Sequence, residues 1–386
     1  MQPKVAGRAA IPPFHVMDVL SAANARQRTH GDVISLAAGQ PSAGAPKPVL
    51  ARAAEVLATH SLGYTEQLGI PELRAAVAAH YGRTSDLDVD PRQVVITTGS
   101  SGGFLLAFLA AFDAGDRVAV VRPGYPAYRN ILSALGAEVV ELPCGEQTRF
   151  QPTVEMLDEL PRIDGLVLAS PANPTGTVLA PADLERIAGW CAARGVRLIS
   201  DELYHGIAYE QPTATAWRYS TEAVVVNSFS KYFAMTGWRL GWLLVPRRLH
   251  RAIDCLTGNF TLCPPALAQH AAVAAFEPES YAELDAHVAR YRVNRDRLVK
   301  GLAEEGISRL APADGAFYAY ADVSHLTGDS MSFCAKLLAD TGLAIVPGVD
   351  FDPAQGDRFV RFSFAGSTAD VAEGLRRLGE WRSGNR

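Results

Sequence analysis

The sequence predicts an α/β protein: a large domain with a mostly parallel sheet between helices, joined to a small α+β domain. Three observations predict it. Short apolar strands alternate with helical segments from Val94 to Val245, the pattern of parallel strands whose crossovers cover both sheet faces. From Ile307 onward the pattern changes to a few strands set between helices. The chain has 386 residues, 48% of them apolar, which is long for one core and rich enough to fill two.

Composition excludes several function classes. The formal net charge is −5 and no long basic run is present, which argues against a nucleic-acid partner. Cys144, Cys191, Cys255, Cys263 and Cys334 are scattered without a CxxC. That spacing predicts reduced thiols in a cytosolic protein rather than disulfides or zinc, and the histidines show no paired metal spacing, so no metal is expected. The apolar run Phe104 to Phe112 ends at Asp113, short of the roughly 20 residues that span a bilayer. It predicts a buried helix. Met1 to Arg8 lacks the apolar core of a signal peptide. Together these features predict a cytoplasmic protein with no membrane partner.

The elements follow in order. Residues 1–45 read as irregular apart from an apolar-periodic piece, Phe14 to Ala25. Val33 to Pro41 is an extended run ending at Gly39 and Pro41; the glycine suits a plain turn as well as close approach to a ligand. Pro71 opens an amphipathic helix with Leu73, Val77 and Tyr81 on one face. A strand from Gln93 enters Gly99-Ser100-Ser101-Gly102-Gly103, and a helix continues through Phe112. Small residues at a helix start leave N–H groups free at the positive end of the dipole, which suits phosphate. The Walker and dinucleotide fingerprints are both missing. Asp116 to Pro126 is strand and turn, then a helix to Leu135 and a strand from Ala137 to Leu142.

Strand Gly165 to Ala169 ends in Ser170 to Gly176, whose Asn-Pro-Thr-Gly is a turn by its own chemistry. Open α/β sheets hold ligands at such strand ends. A helix, Asp183 to Arg194, precedes a strand from Val196 that closes on Asp201, with Glu202 in a structural role. Gly258 to Pro265 reads as a loop, and Pro278 to Glu305 as a long connecting helix. Strands at Gly315 to Ala321, Leu343 to Pro347 and Arg358 to Phe364, with helices at Ser332 to Thr341 and Thr368 to Trp381, complete the chain. The predicted segments are residues 1–45 (joining the small domain), 46–285 (large domain) and 286–386 (small domain).

The chemistry centres on Ser228 to Arg239. Lys231 lies between the apolar runs Ala223 to Asn227 and Leu240 to Val245. Burial disfavours an ammonium and lowers its pKa, giving an amine able to form a Schiff base. Ser228 and Arg239 suit a phosphate nearby, and a phosphorylated aldehyde on a lysine is pyridoxal 5'-phosphate (PLP). On its own the stretch reads equally as a surface lysine at a helix start. Arg361 sits inside Phe359-Val-Arg-Phe-Ser-Phe364. A buried guanidinium there needs an anionic partner, and its planar fork suits a carboxylate.

The motif S-x-S-K-x-x-x-M-T-G-W-R-x-G around Lys231 resembles the cofactor-lysine motif of the class I/II aminotransferases, the fold-type I PLP enzymes. Other motifs of that family recur in order from Gly39 to Arg361. The resemblance implies a seven-stranded-type sheet and a homodimer. It makes Lys231, Asp201 and Tyr204 catalytic: Lys231 as Schiff-base lysine and proton carrier, Asp201 beside the pyridine nitrogen, Tyr204 on the phenolic oxygen with Asn173. Gly99, Ser100, Ser101, Ser228, Arg239 and a neighbouring subunit's Tyr64 would hold phosphate, and Tyr125 would stack on the ring. Gly39, Asn173 and Arg361 would meet the substrate α-carboxylate, and Asn259 or Thr261 would touch the neighbouring site.

The implied activity moves an α-amino group between an amino acid and a 2-oxo acid. Phe14, Tyr125 and Phe317, with Ser101 where an acidic-substrate subgroup carries lysine, suggest a neutral amino-acid side chain. Ser42 to Pro46 departs from the family's acidic and aromatic pair. A PLP lyase, cyclase or oxidase on the same scaffold is the alternative, and a cofactor-sensing module lacks the helix-turn-helix or basic extension it would need.

Overall fold

The computed structural model describes residues 3–384. A short strand, β1 (Ile34–Ser35), precedes the main sheet. That sheet consists of β2 (Val94–Thr97), β3 (Arg117–Arg122), β4 (Glu138–Pro143), β5 (Gly165–Ala169), β6 (Arg197–Asp201), β7 (Val224–Ser228) and β8 (Gly241–Leu244). The C-terminal part contributes β9 (Tyr318–Asp322), β10 (Leu343–Ala344), β11 (Val346–Pro347) and β12 (Phe359–Ser363).

The main sheet runs β2-β8-β7-β6-β5-β3-β4. β8 is antiparallel to both neighbours and every other pairing is parallel. All residues of β2, β7 and β8 are buried, as expected for strands covered on both faces. Helices Gly99–Ala111 and Arg247–Phe260 pack on one side, and Phe104, Phe108, Val226, Leu243 and Ile253 share that layer of the core. Because β5, β6 and β7 run parallel, Ser170, Asp201 and Ser228 emerge at one edge of the sheet.

The C-terminal strands form a separate antiparallel sheet, β11-β12-β9, while β10 pairs with β1. That pairing ties Ile34–Ser35 of the N-terminal segment to the C-terminal part. Helix Pro278–Glu304 connects the two regions and buries Leu284, Tyr291, Leu298 and Leu302.

Three details differ from expectation. The N-terminal piece is a full helix, His15–His30, fixed by Asp350, which accepts from the N–H groups of His15 at 2.9 Å and Val16 at 2.6 Å. The stretch read as one strand, Leu343 to Pro347, splits between two sheets. Gly258 to Phe260 is the last turn of a helix, not loop. The buried face, Ile253 and Thr257, ends before the glycine; the last turn is closed by hydrogen bonds, the Thr261 N–H donating to the Thr257 carbonyl at 3.0 Å and Asn259 Nδ2 to the Cys255 carbonyl at 2.8 Å.

Candidate active site

The parallel strand ends bring the predicted residues together. Asp201 ends β6 and is buried. It accepts from the Leu203 N–H at 3.0 Å and from the Tyr128 hydroxyl. Burial pushes its carboxyl up to about 6, against the hydrogen bonds of Tyr128 and Leu203 and the charge of Lys231. The next residue, Glu202, is also buried, and its Oε1 accepts from Ser200 at 3.0 Å, Thr215 at 3.1 Å and the Ala216 N–H at 2.8 Å. Those bonds give Glu202 the structural place expected of it.

Lys231 follows β7 after Phe229 and Ser230. Its Nζ donates to the Gly39 carbonyl at 2.5 Å and lies 5.9 Å from the centre of the Tyr204 ring. Burial lowers its pKa to about 8, with the charges of Arg361 and Arg239 acting the same way and Asp201 opposing them. The amine is therefore partly neutral near neutral pH, the state a nucleophilic lysine needs. Ser228 is buried, with its hydroxyl 2.8 Å from Ser230 and donating to the Leu240 carbonyl at 3.0 Å.

A cradle forms where helix Gly99–Ala111 begins. Thr98, at its N-cap, makes no side-chain cap, so the first N–H groups stay open to an anion. Gly99 has φ +76°, and a Cβ there would come within 2.7 Å of Arg239 Nη2. At Gly241, opposite Ser228 in the sheet, a Cβ would lie 3.0 Å from the Ser100 nitrogen. Glycine at both positions keeps the helix start, Ser228 and the Arg239 guanidinium close together. Ser101, in the first turn, is exposed.

Arg361 comes from β12 and is 2% exposed. It donates to Asn173 Oδ1 and to the Ala37 carbonyl, both at 2.9 Å. Among the described residues no carboxylate lies within ion-pair distance of it, although its charge reaches Asp350, and its Nε has no partner. A buried cation without a counter-ion is costly unless an anion arrives. Its guanidinium lies 4.3 Å from the centre of the Tyr318 ring.

Two contributors were missed in the sequence. Tyr128 grips Asp201; its position in Tyr125-Pro-Ala-Tyr128 on the first turn of helix Pro126–Leu135 was the available signal. Tyr318 opens β9, and its hydroxyl lies 2.7 Å from that of Tyr204. One expectation is corrected. Phe317 is fully buried among the rings of Tyr204, Tyr291 and Tyr318, so it belongs to the core and not to a substrate pocket. Phe14 does meet Tyr125, ring centres 5.8 Å apart and edge to face. Tyr64 is 85% exposed, and Asn259 and Thr261 are exposed too, so none of them joins this cluster within the chain.

The site joins an anion cradle, a lysine of lowered pKa, a buried carboxylate and an unpaired arginine, the fittings of a fold-type I PLP enzyme. The sequence pattern of the family aminotransferase class I and II matches residues 31–378. A curated relative, the valine–pyruvate aminotransferase of Mycobacterium tuberculosis, is 65% identical over 384 residues, covering 99% of each chain. The aspartate/prephenate aminotransferase of Thermus thermophilus is 33% identical, with 96% of each chain covered. Among solved structures, an aminotransferase from M. tuberculosis superposes with TM-score 0.98 at 65% identity, covering 99% of this chain and 100% of that one. The aspartate aminotransferase of T. thermophilus with maleate gives 0.93 at 32%, covering 98% and 100%.

The chain belongs to the class I and II aminotransferases, and it is a PLP-dependent aminotransferase. The lyase, cyclase and oxidase alternative is not favoured by these relatives.

Proposed function

We propose that the chain moves the amino group of a small neutral amino acid to a 2-oxo acid, with valine and pyruvate as the pair. One observation carries the reading: Arg361, buried and without a counter-ion, stands beside a lysine of lowered pKa. A substrate α-carboxylate would supply the missing charge. Arg239 is the other cation acting on Lys231, and this reading gives it to the phosphate. Among the described residues that leaves no further cation acting on Lys231 for an acidic substrate side chain, and the aromatic pair Phe14 and Tyr125 suits an aliphatic one. The choice of valine and pyruvate follows the name of the 65% identical relative.

PLP, when bound, supplies an electron sink for the pair left at the substrate Cα. The chain's residues would do the rest. Lys231 would hold the cofactor aldehyde and then carry the Cα proton on Nζ. Asp201, kept in place by Tyr128 and the Leu203 N–H, would keep a proton on the ring nitrogen. Asn173 and Tyr204 would face the phenolic oxygen, and Tyr125 would cover the ring. The open N–H groups from Gly99 to Ser101, with Ser228 and Arg239, would hold the phosphate. Arg361, steadied by Asn173 and the Ala37 carbonyl, would fix the carboxylate, with Gly39 beside it, so that the Cα–H bond points toward Lys231.

Tyr64 of the partner subunit would complete the phosphate site of a homodimer, with Asn259 or Thr261 at the same rim. Leu62, Tyr64, Phe260 and Leu262 are all exposed, 44–85%, and a second copy would cover them. The same reading keeps residues 46–285 and 286–386 as large and small domains and assigns the protein to the cytoplasm.

A single half-reaction tests this. Holoenzyme is mixed with valine or aspartate, without acceptor, and products are followed by mass spectrometry. Valine should yield its 2-oxo acid and an equal amount of pyridoxamine phosphate, well ahead of aspartate. Faster reaction of aspartate, or product without pyridoxamine phosphate, would overturn the proposal.

A further inference from the structure

We infer that Tyr318 is a positioning residue for the transamination site: its hydroxyl donates to Tyr204 and so fixes the direction in which Tyr204 donates. The inference rests on the proposed role of Tyr204 at the cofactor's phenolic oxygen. Three contacts support it. The hydroxyls of Tyr318 and Tyr204 are 2.7 Å apart, and both residues are buried. A Cβ at Gly39 would come within 2.6 Å of the Tyr318 oxygen, so only glycine leaves the hydroxyl its place. The Tyr318 ring carries the Arg361 guanidinium on its face at 4.3 Å.

The direction of the bond follows from proton counting. A phenol has one hydrogen to give. If Tyr204 gives its hydrogen to the cofactor, it accepts from Tyr318. Donation into a phenol oxygen makes that phenol a stronger donor, since chained hydrogen bonds polarise one another. Tyr318 therefore strengthens the contact that stabilises the deprotonated phenolic oxygen of the bound cofactor. The charged and titratable groups around Tyr204 are Tyr318 and Arg361 from the antiparallel sheet, Asp201 from the main one, Lys231 from the segment after β7 and Tyr128 from helix Pro126–Leu135. A Tyr318→Phe change leaves all of them but the one hydroxyl, and it keeps a ring under Arg361.

The test is an absorbance titration of the resting holoenzyme, which reports protonation of the lysine-bound cofactor without turnover. In Tyr318→Phe the midpoint should move up by about half a unit to one unit, the size of one lost hydrogen bond. KM for pyruvate should stay within about twofold, because a ring face still seats the arginine. Tyr204→Phe is the control and should move the midpoint further in the same direction. Should Tyr204→Phe shift the midpoint while Tyr318→Phe leaves it unchanged, the inference falls and the Tyr204 reading stands. If neither variant shifts it, both fall. A rise in KM beyond about fivefold in Tyr318→Phe, with no shift, would make the hydroxyl a mere support for Arg361.

Discussion

The two sides of the site are built differently. The proposed cofactor side is made from strand ends of one sheet, and its key carboxylate is already bonded: Asp201 accepts from both Tyr128 and the Leu203 N–H. The substrate side comes from β12, β9 and the N-terminal segment, and it holds an arginine whose Nε has no partner. A preassembled half keeps its geometry when empty. A half with an unmet charge waits for its ligand. Mutations on the first side should therefore damage chemistry, and those on the second should damage substrate binding.

The largest effect expected is at the lysine between the halves. Lys231→Ala should lose at least about a thousandfold in rate and lose the visible absorbance of the lysine-bound cofactor. On the cofactor side, Asp201→Asn should lower kcat by about 10²–10³-fold with little change in KM. The same change should stabilise the PLP-free protein. Burial raises the Asp201 pKa to about 6, so the folded state holds its proton longer than the unfolded chain and stability falls as pH rises from about 4 through 6. At pH 8 the asparagine variant should be more stable by roughly 3 kcal/mol, read by melting. An unchanged melting point would show that Asp201 pays no burial cost.

On the substrate side, Arg361→Leu should raise KM for both amino and oxo acids by about a hundredfold and spare the absorbance of the resting enzyme. Loss of that absorbance instead would erase the distinction between the two halves. Tyr128→Phe should be milder, about tenfold in kcat, since Leu203 still holds Asp201.

Much of the cofactor side was legible because each residue ends an apolar run. Asp201 closes β6, Asn173 follows β5, and Lys231 follows β7. Arg361 was legible for the same reason: a charge inside an apolar strand demands a partner. Tyr318 was not, because nothing local marks a tyrosine whose value is the hydroxyl it meets across the fold, and for Tyr128 the one local signal was its place a turn after Tyr125. Phe317 misled because it neighbours a site residue, yet it faces Tyr204 and Tyr291 within the core. The helix end at Phe260 was misplaced because glycine and asparagine signal a turn, while the backbone keeps its helical hydrogen bonds through them to the Thr261 N–H. The proposed dimer contact at Tyr64 rests on a surface that a single chain leaves open.

The central claim is that one lysine carries the cofactor, and borohydride labelling tests it most directly. Reduced holoenzyme, digested and read by mass spectrometry, should carry the phosphopyridoxyl mass on the peptide containing Lys231. A label on Lys4, Lys47, Lys300 or Lys336, with Lys231 unmodified, would contradict the account.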